Sequence, residues 1–405
     1  MKIGVSMGFK TNVRKKLEKF VGNYGYQMVK NPDLNELSII VDDNTWPFNE
    51  AEFNNRDKES YTLGWVIPPL GPGAGGHRTI FRTIDNFSKQ GIRSEIFIYG
   101  PVGELSSEEL RKMVLDFYQV DLGENEIYGS TRYLHYVDGI VATSWQTAYF
   151  ARNYNNCKTK FYFVQDFEPY FYGRDALYYF AENTYKLGFY GVTAGRWLEK
   201  KLRDDYGMQT VGFDFSYDKE VYCIRENVKK PEDGKKHIFF YARPSTGRRA
   251  FEMGALAFAK LAKLRDDFVV EFAGQELRGY DLRFPYNDHG IVSPEELSKI
   301  YSMCDICVVM SLTNMSLLPY EIMASGSVVM INSGANNDWA VNESNSIVVD
   351  MDPANIADTL DKYLSDEKAL DEMRRKGIES LPSATWYDTS VQVADFIREK
   401  IKENL

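Results

Sequence analysis

From Tyr61 onward the chain alternates short apolar, β-rich runs with segments of helical spacing, and this pattern narrows the possible folds more than any other feature. YTLGWVIP is followed by the glycine run GPGAGGH, then by RTIFRTIDNFSKQG with its closing Gly91, then by the strand-like RSEIFIYG. The unit repeats through VDGIVATS with TAYFARNY, KFYFVQD, and GFYGVTAG with RWLEKKLRDDYG. A second series opens at HIFFYARP and continues through DDFVVEFAG, DICVVMS, SVVMINSG and SNSIVVD. Within it SPEELSKIYSMC reads as a helix whose Ser293 and Glu296 form a capping box around Pro294. Repeated strand-helix units predict parallel sheets with helices on both faces.

The expected fold class is therefore α/β, with two doubly wound, Rossmann-like domains facing across a cleft. The first spans 61–215 and the second 237–385, joined by a polar linker over 216–236 that ends in KKPEDGKK. Residues 386–405 read as an amphipathic helix expected to pack back on the first domain. Residues 1–60 form an N-terminal extension of different character. There Val13, Leu17, Phe20, Val21 and Tyr24 recur at helical spacing among Lys10, Arg14, Lys15, Lys16 and Lys19. Two readings of this basic helix stay open: a docked helix with a solvated face, or a peripheral contact with anionic lipid.

Forty-eight Lys and Arg against 58 Asp and Glu leave a net charge of −10, which argues against nucleic acid as a partner. An anionic ligand must then be held by local basic groups. Four scattered Cys make no disulfide framework, and no uncharged run reaches the ~18 residues of a membrane span. The expected location is cytoplasmic, or peripheral at the inner face of the membrane. Aromatic residues reach 14% of the chain, and ten of them crowd into residues 161–180. That segment is a candidate platform for the apolar faces of sugar rings.

Three loops at strand ends carry the chemistry. Gly71-Pro-Gly-Ala-Gly75-Gly76-His77-Arg78 fails as a dinucleotide fingerprint, because the next strand ends in IFIYG without an acidic residue. It remains a glycine loop opening a helix, with His77 and Arg78 in the first turn facing something negative or polar. Tyr241-Ala-Arg243-Pro-Ser-Thr-Gly247-Arg248-Arg249 gathers three arginines with no acid between them, a set suited to gripping a diphosphate. In Ser311 to Gly326, Pro319 belongs in the first turn of a helix. That places Glu321 at the cleft rim to accept hydrogen bonds from a diol, with backbone N–H groups of Ser316 and Leu317 just before it.

These motifs together resemble the nucleotide-binding domain of retaining GT-B glycosyltransferases of family 4. Gly75-Gly76-His77-Arg78, Gln165-Asp166-Phe167-Glu168-Pro169 and Leu318-Pro319-Tyr320-Glu321-Ile322-Met323 are most similar to the WsaF-type rhamnosyltransferases, over about 61–405. The resemblance implies that Arg243 and Arg248 hold the donor diphosphate and that Glu321 binds the nucleoside sugar. It also implies that Gly274 and His289-Gly290-Ile291 flank the base, while Gly75 and Gly76 face the phosphates or acceptor. Thr313 and Asn314 complete the nucleoside and sugar set, and Arg249 the diphosphate set. One departure is Thr313, which stands where the wider family carries the first of two glutamates, with Ser316 in place of a glycine. That suits a 6-deoxy sugar or another altered donor and counts against hexose donors such as UDP-glucose.

The implied activity is transfer of rhamnose from dTDP-rhamnose, as donor substrate, to a hydroxyl of a glycan acceptor, which is lipid-linked in one reading. Retention of configuration is implied by the resemblance, and neither cofactor nor metal is expected. Candidates for the acceptor base are His77, then Asp166 and Glu168, the last two equally readable as loop braces. Cys304 and Cys307 have CxxC spacing but read as buried packing. Rival readings are a GT-B transferase using another nucleotide sugar, a GT-B epimerase or phosphorylase, and a silent nucleotide-sugar-binding scaffold.

Overall fold

A computed structural model describes residues 34–72, 74–100, 105–225 and 228–405. The basic helix expected within residues 10–24 lies outside them. Two short helical turns, Leu34–Leu37 and Ser38–Ile40, belong to a first compact unit. Everything below concerns the second, residues 43–277 and 282–405.

Among the described residues this unit contains two all-parallel sheets. The first has seven strands: β1 (Tyr61–Ile67), β2 (Ile92–Ile98), β3 (Glu126–Tyr128), β4 (Val137–Ala142), β5 (Cys157–Val164), β6 (Tyr190–Ala194) and β7 (Thr210–Phe213). The second has six: β8 (Lys236–Tyr241), β9 (Phe268–Ala273), β10 (Tyr286–Asp288), β11 (Ile306–Val309), β12 (Val328–Asn332) and β13 (Ile347–Val349). Their orders are β3-β2-β1-β4-β5-β6-β7 and β10-β9-β8-β11-β12-β13. In each, the order reverses beside the first strand, between β1 and β4 and between β8 and β11. Loops diverge there at the strands' carboxyl ends, the place where sheets of this topology leave a ligand crevice.

Both faces of each sheet are buried, as parallel pairing demands. Along β1, Leu63, Trp65 and Ile67 enter one apolar cluster, while Val66 points to the other with Val137 and Ile140. The first cluster runs on into the second domain through Phe239, Tyr301, Ile322 and Val329, so one continuous apolar seam joins the domains. Cys304 and Cys307 lie buried in it, and the Cys307 thiol donates to Ser327 Oγ.

Five helices matter to the site: α1 (Gly75–Ser88), α2 (Trp145–Asn153), α3 (Pro294–Met303), α4 (Leu318–Ala324) and α5 (Trp386–Asn404). Ser293 and Glu296 cap α3 reciprocally. Pro319 sits in the first turn of α4, which puts Glu321 in that turn. The chain crosses between domains twice, after β7 and again before α5. The two crossings are tied where Ser216 Oγ donates to the Ala384 carbonyl (2.8 Å) and Lys219 Nζ to that of Ser383 (2.7 Å). Helix α5 lies against α1 and β7, with Gln90 Nε2 donating to Ser390 Oγ at 2.8 Å and Gln392 Nε2 to the Gly212 carbonyl at 2.6 Å.

Candidate functional site

The loop after β8 brings Arg243, Arg248 and Arg249 to the carboxyl end of that strand. Arg249 is anchored by a 2.8 Å bond from Nη1 to Ser311 Oγ. Ser311 is itself fixed, because Asn332 and Asn336 amides donate to its carbonyl at 3.1 and 2.9 Å. Burial pulls the Arg249 guanidinium below its usual range, with Arg248 and Arg243 adding repulsion. Among the described residues the three arginines share one carboxylate within ion-pair distance, Asp166, whose Oδ2 lies 3.5 Å from Arg248 Nε. Arg243 Nε and Ser316 Oγ are buried with no hydrogen-bond partner. A cluster of cations and an orphaned donor, gathered where both sheets open, is a place built for an anion.

The first domain meets this cradle through residues 165–171. Asp166 Oδ2 accepts from Thr313 Oγ1 at 2.9 Å, and burial raises this carboxyl above its usual range against the pull of Arg248. The Arg248 guanidinium lies 4.2 Å over the half-exposed Phe171 ring. Asn314 donates from Nδ2 to the carbonyls of Gln165 and Ala194, both at 2.9 Å, and accepts from Met315 N. Gly76 faces the Gln165 side chain, which a Cβ there would approach to 3.3 Å. The structure thus brings Asp166 against Arg248, and Gly76 against the neighbouring Gln165. Thr313 and Asn314, each 2% exposed, spend the Thr hydroxyl and the Asn amide N–H groups on the other domain. Their place is the domain seam, which corrects their expected role in holding nucleoside and sugar.

Two further candidates are engaged in structural pairings. Glu168 is 6% exposed; Oε2 accepts from Trp145 N and Oε1 from Tyr162 Oη, both at 2.9 Å. It braces the β4–α2 turn instead of lining the cleft. Burial lifts its carboxyl to about 7. The His289 ring is committed to the buried Glu271, with Nε2 2.6 Å from Oε2, so its side chain belongs to a His-Glu-His chain with His237 instead of a base pocket. Backbone joins the remaining members of that set: Gly274, at φ +124°, donates to the Gly290 carbonyl at 2.7 Å. Ile291 stays 73% exposed.

His77 stacks on Tyr118 (5.7 Å between ring centroids), and burial lowers its pKa. Its Nε2 lies 3.2 Å from the Pro68 carbonyl, which can only accept, so Nε2 carries the proton and Nδ1 keeps a basic lone pair. Arg78, one residue on, is paired to Asp218 at 3.1 Å. Asp218 and Tyr222, both in the segment after β7, approach Glu321, and neither carried a sequence signal. No strand, glycine loop or charge run marks them, and only the interdomain crossing brings them to the cleft. Burial lifts the Glu321 carboxyl to about 7, against the pull of Arg78 and Arg82 and the nearby Tyr222 hydroxyl.

Two doubly wound parallel domains, joined by a double crossing and opening toward each other at their strand carboxyl ends, constitute the GT-B fold. Comparison with solved structures agrees. The chain matches sucrose-phosphate synthase from Thermosynechococcus elongatus with a TM-score of 0.62 at 13% identity, covering 85% of this chain and all of that one. It matches Anabaena Alr3699/HepE, solved with UDP and glucose, with a TM-score of 0.60 at 13% identity and the same coverages. Residues 236–361 match the family model described as the C-terminal domain of WsaF. Among curated proteins, the O-antigen biosynthesis protein RfbC of Myxococcus xanthus is 27% identical over 334 residues, which is 80% of this chain. The chain spans about a quarter of that relative's length, the match covering 26% of it.

Proposed function

We propose that this chain is a glycosyltransferase unit that moves a sugar from a nucleoside diphosphate donor to a glycan hydroxyl in surface-polysaccharide synthesis. The observation that carries the reading is the under-neutralised cluster of Arg243, Arg248 and Arg249, in which Arg243 Nε is buried without a hydrogen-bond partner. As the anomeric C–O bond breaks, charge grows on the departing diphosphate, and fixed guanidiniums stabilise that charge without reorganising. Positive charge supplied by protein in this way calls for no resident metal or cofactor. Glu321 accepts hydrogen bonds from a donor diol, and His77 Nδ1 is the free basic atom of the glycine loop. The RfbC relative and the nucleotide-bound HepE structure point the same way.

Within that class the donor read here is dTDP-rhamnose. Its support is Thr313 at a position of the resemblance where a hexose-contacting glutamate is expected; this Thr is turned onto Asp166. Retention is the stereochemical course that accompanies that resemblance. Incubating the protein with dTDP-rhamnose and a rhamnose-terminated acceptor should release dTDP. Binding without turnover across several acceptors would indicate a scaffold. Failure of every dTDP-sugar to bind would remove the donor assignment.

A further inference from the structure

We infer that Asp166 is a positioning residue that acts through Arg248: its carboxylate holds that guanidinium as a resident counter-ion until a diphosphate takes its place. The inference rests on the reading of Arg243, Arg248 and Arg249 as the donor diphosphate site.

The contact crosses the domain seam. Asp166 follows β5 in the first domain, Arg248 follows β8 in the second, and Asp166 Oδ2 lies 3.5 Å from Arg248 Nε. That separation is charge attraction without a hydrogen bond, since Arg248 Nε is buried and has no hydrogen-bond partner. An anionic oxygen fully bonded to a guanidinium stands at ~2.7–2.9 Å. The N–H of Arg248 is thus left for a better acceptor, and a diphosphate oxygen supplies charge and bond together.

Asp166 does not depend on Arg248 for its own place. Its Oδ2 accepts from Thr313 Oγ1 and its Oδ1 from Phe167 N, both at 2.9 Å. The Gln165 carbonyl just before it is held by Asn314 Nδ2 at the same distance. On the other side Leu312 N donates to the Arg248 carbonyl at 3.2 Å, and the guanidinium rests 4.2 Å over the Phe171 ring. What is left to move is the Arg248 side chain, which turns from carboxylate to phosphate while both backbones stay fixed.

Both side chains are largely buried, so their charges act across surroundings of low dielectric. An ionised Asp166 opposes the diphosphate twice, by occupying Arg248 and by repelling the incoming like charge. The charged and titratable groups bearing on Asp166 are Arg248 and Arg249 from the loop after β8, Glu168 of its own loop, and Tyr185, whose hydroxyl lies 3.4 Å from the Asp166 carbonyl. Burial raises the Asp166 carboxyl above its usual range, so the proton uptake that releases Arg248 occurs at a milder pH than for an exposed Asp.

The test is calorimetric titration of the full chain with dTDP-rhamnose and with inorganic pyrophosphate, a probe that needs no recognition of sugar or nucleoside. Asp166→Asn, which keeps an oxygen for Thr313, and Asp166→Ser, a second neutral variant, should bind both probes about fivefold or more tighter than wild type at pH 7.5. Thr313→Val removes the bond but keeps the charge, and should tighten neither probe; a purely structural brace would make all three variants weaken alike. From pH 7 to pH 4 the sugar nucleotide keeps its charge, so wild-type affinity should climb toward that of Asp166→Asn as Asp166 takes up its proton. Unchanged or weaker binding by the neutral variants, or a constant ratio of affinities across that range, would overturn the inference while leaving the diphosphate site in place. Failure of both probes to bind any of the proteins would remove the diphosphate reading itself, and the inference with it.

Discussion

Glu168→Gln tests the bracing role that the structure gives this carboxyl, and the structure sets the size of the effect. In the folded chain Glu168 is buried beneath α2 and titrates at about 7, against an ordinary 4.5. Below 4.5 both folded and unfolded states are protonated and the group is neutral in the balance. Between 4.5 and about 7 the unfolded chain gives up its proton first, so it binds fewer protons than the native state and stability falls as pH rises. Above that range both are ionised and the deficit is constant. The displacement corresponds to ~3 kcal/mol, since each pH unit stands for ~1.4 kcal/mol. Gln can keep both bonds, accepting from Trp145 N through its oxygen and donating to Tyr162 Oη through its amide. It carries no charge to desolvate. Thermal unfolding at pH 5 and pH 8 should therefore show the variant gaining on wild type by up to ~3 kcal/mol at the higher pH, roughly 6–12 °C for a domain of this size. Transfer activity should persist. Parallel pH dependence in both proteins would refute the burial argument, and loss of turnover in a well-folded variant would refute the bracing role.

Arg248→Ala should weaken nucleoside diphosphate binding by roughly 10- to 100-fold, the worth of a hydrogen bond to a charged group, while leaving the fold intact. Calorimetry with dTDP reads this, and wild-type affinity would remove Arg248 from the diphosphate site. Gly195 has φ +84°, and a Cβ there would come within 2.6 Å of the Trp339 ring across the domain seam. Gly195→Ala should cost about 1–3 kcal/mol and speed proteolysis between the domains; unchanged melting and cleavage would count against the seam as a rigid contact.

Much of the site was legible because its signals are local. A strand-end loop with Arg243, Arg248 and Arg249 announces an anion by charge alone, and Pro319 fixes the first turn in which Glu321 stands. His77 was legible as a residue but not as a tautomer, since the Pro68 carbonyl that fixes its proton is set by the path of the glycine loop. Glu168 stayed open between brace and base, because EP after a strand looks the same whether the carboxylate faces solvent or, as here, accepts from the first N–H of α2.

By itself the sequence determined the two parallel sheets, because burial on both faces writes continuous apolar runs and helix periodicity between them is a property of neighbouring residues. Only the tertiary structure decided what closes the cleft. Thr313 and Asn314 reach Asp166, Gln165 and Ala194 more than a hundred residues away, and Asp218, in the interdomain crossing, gathers two arginines of α1. Such contacts depend on how two separately folded sheets are set against each other, and no local pattern of charge or hydropathy records that angle.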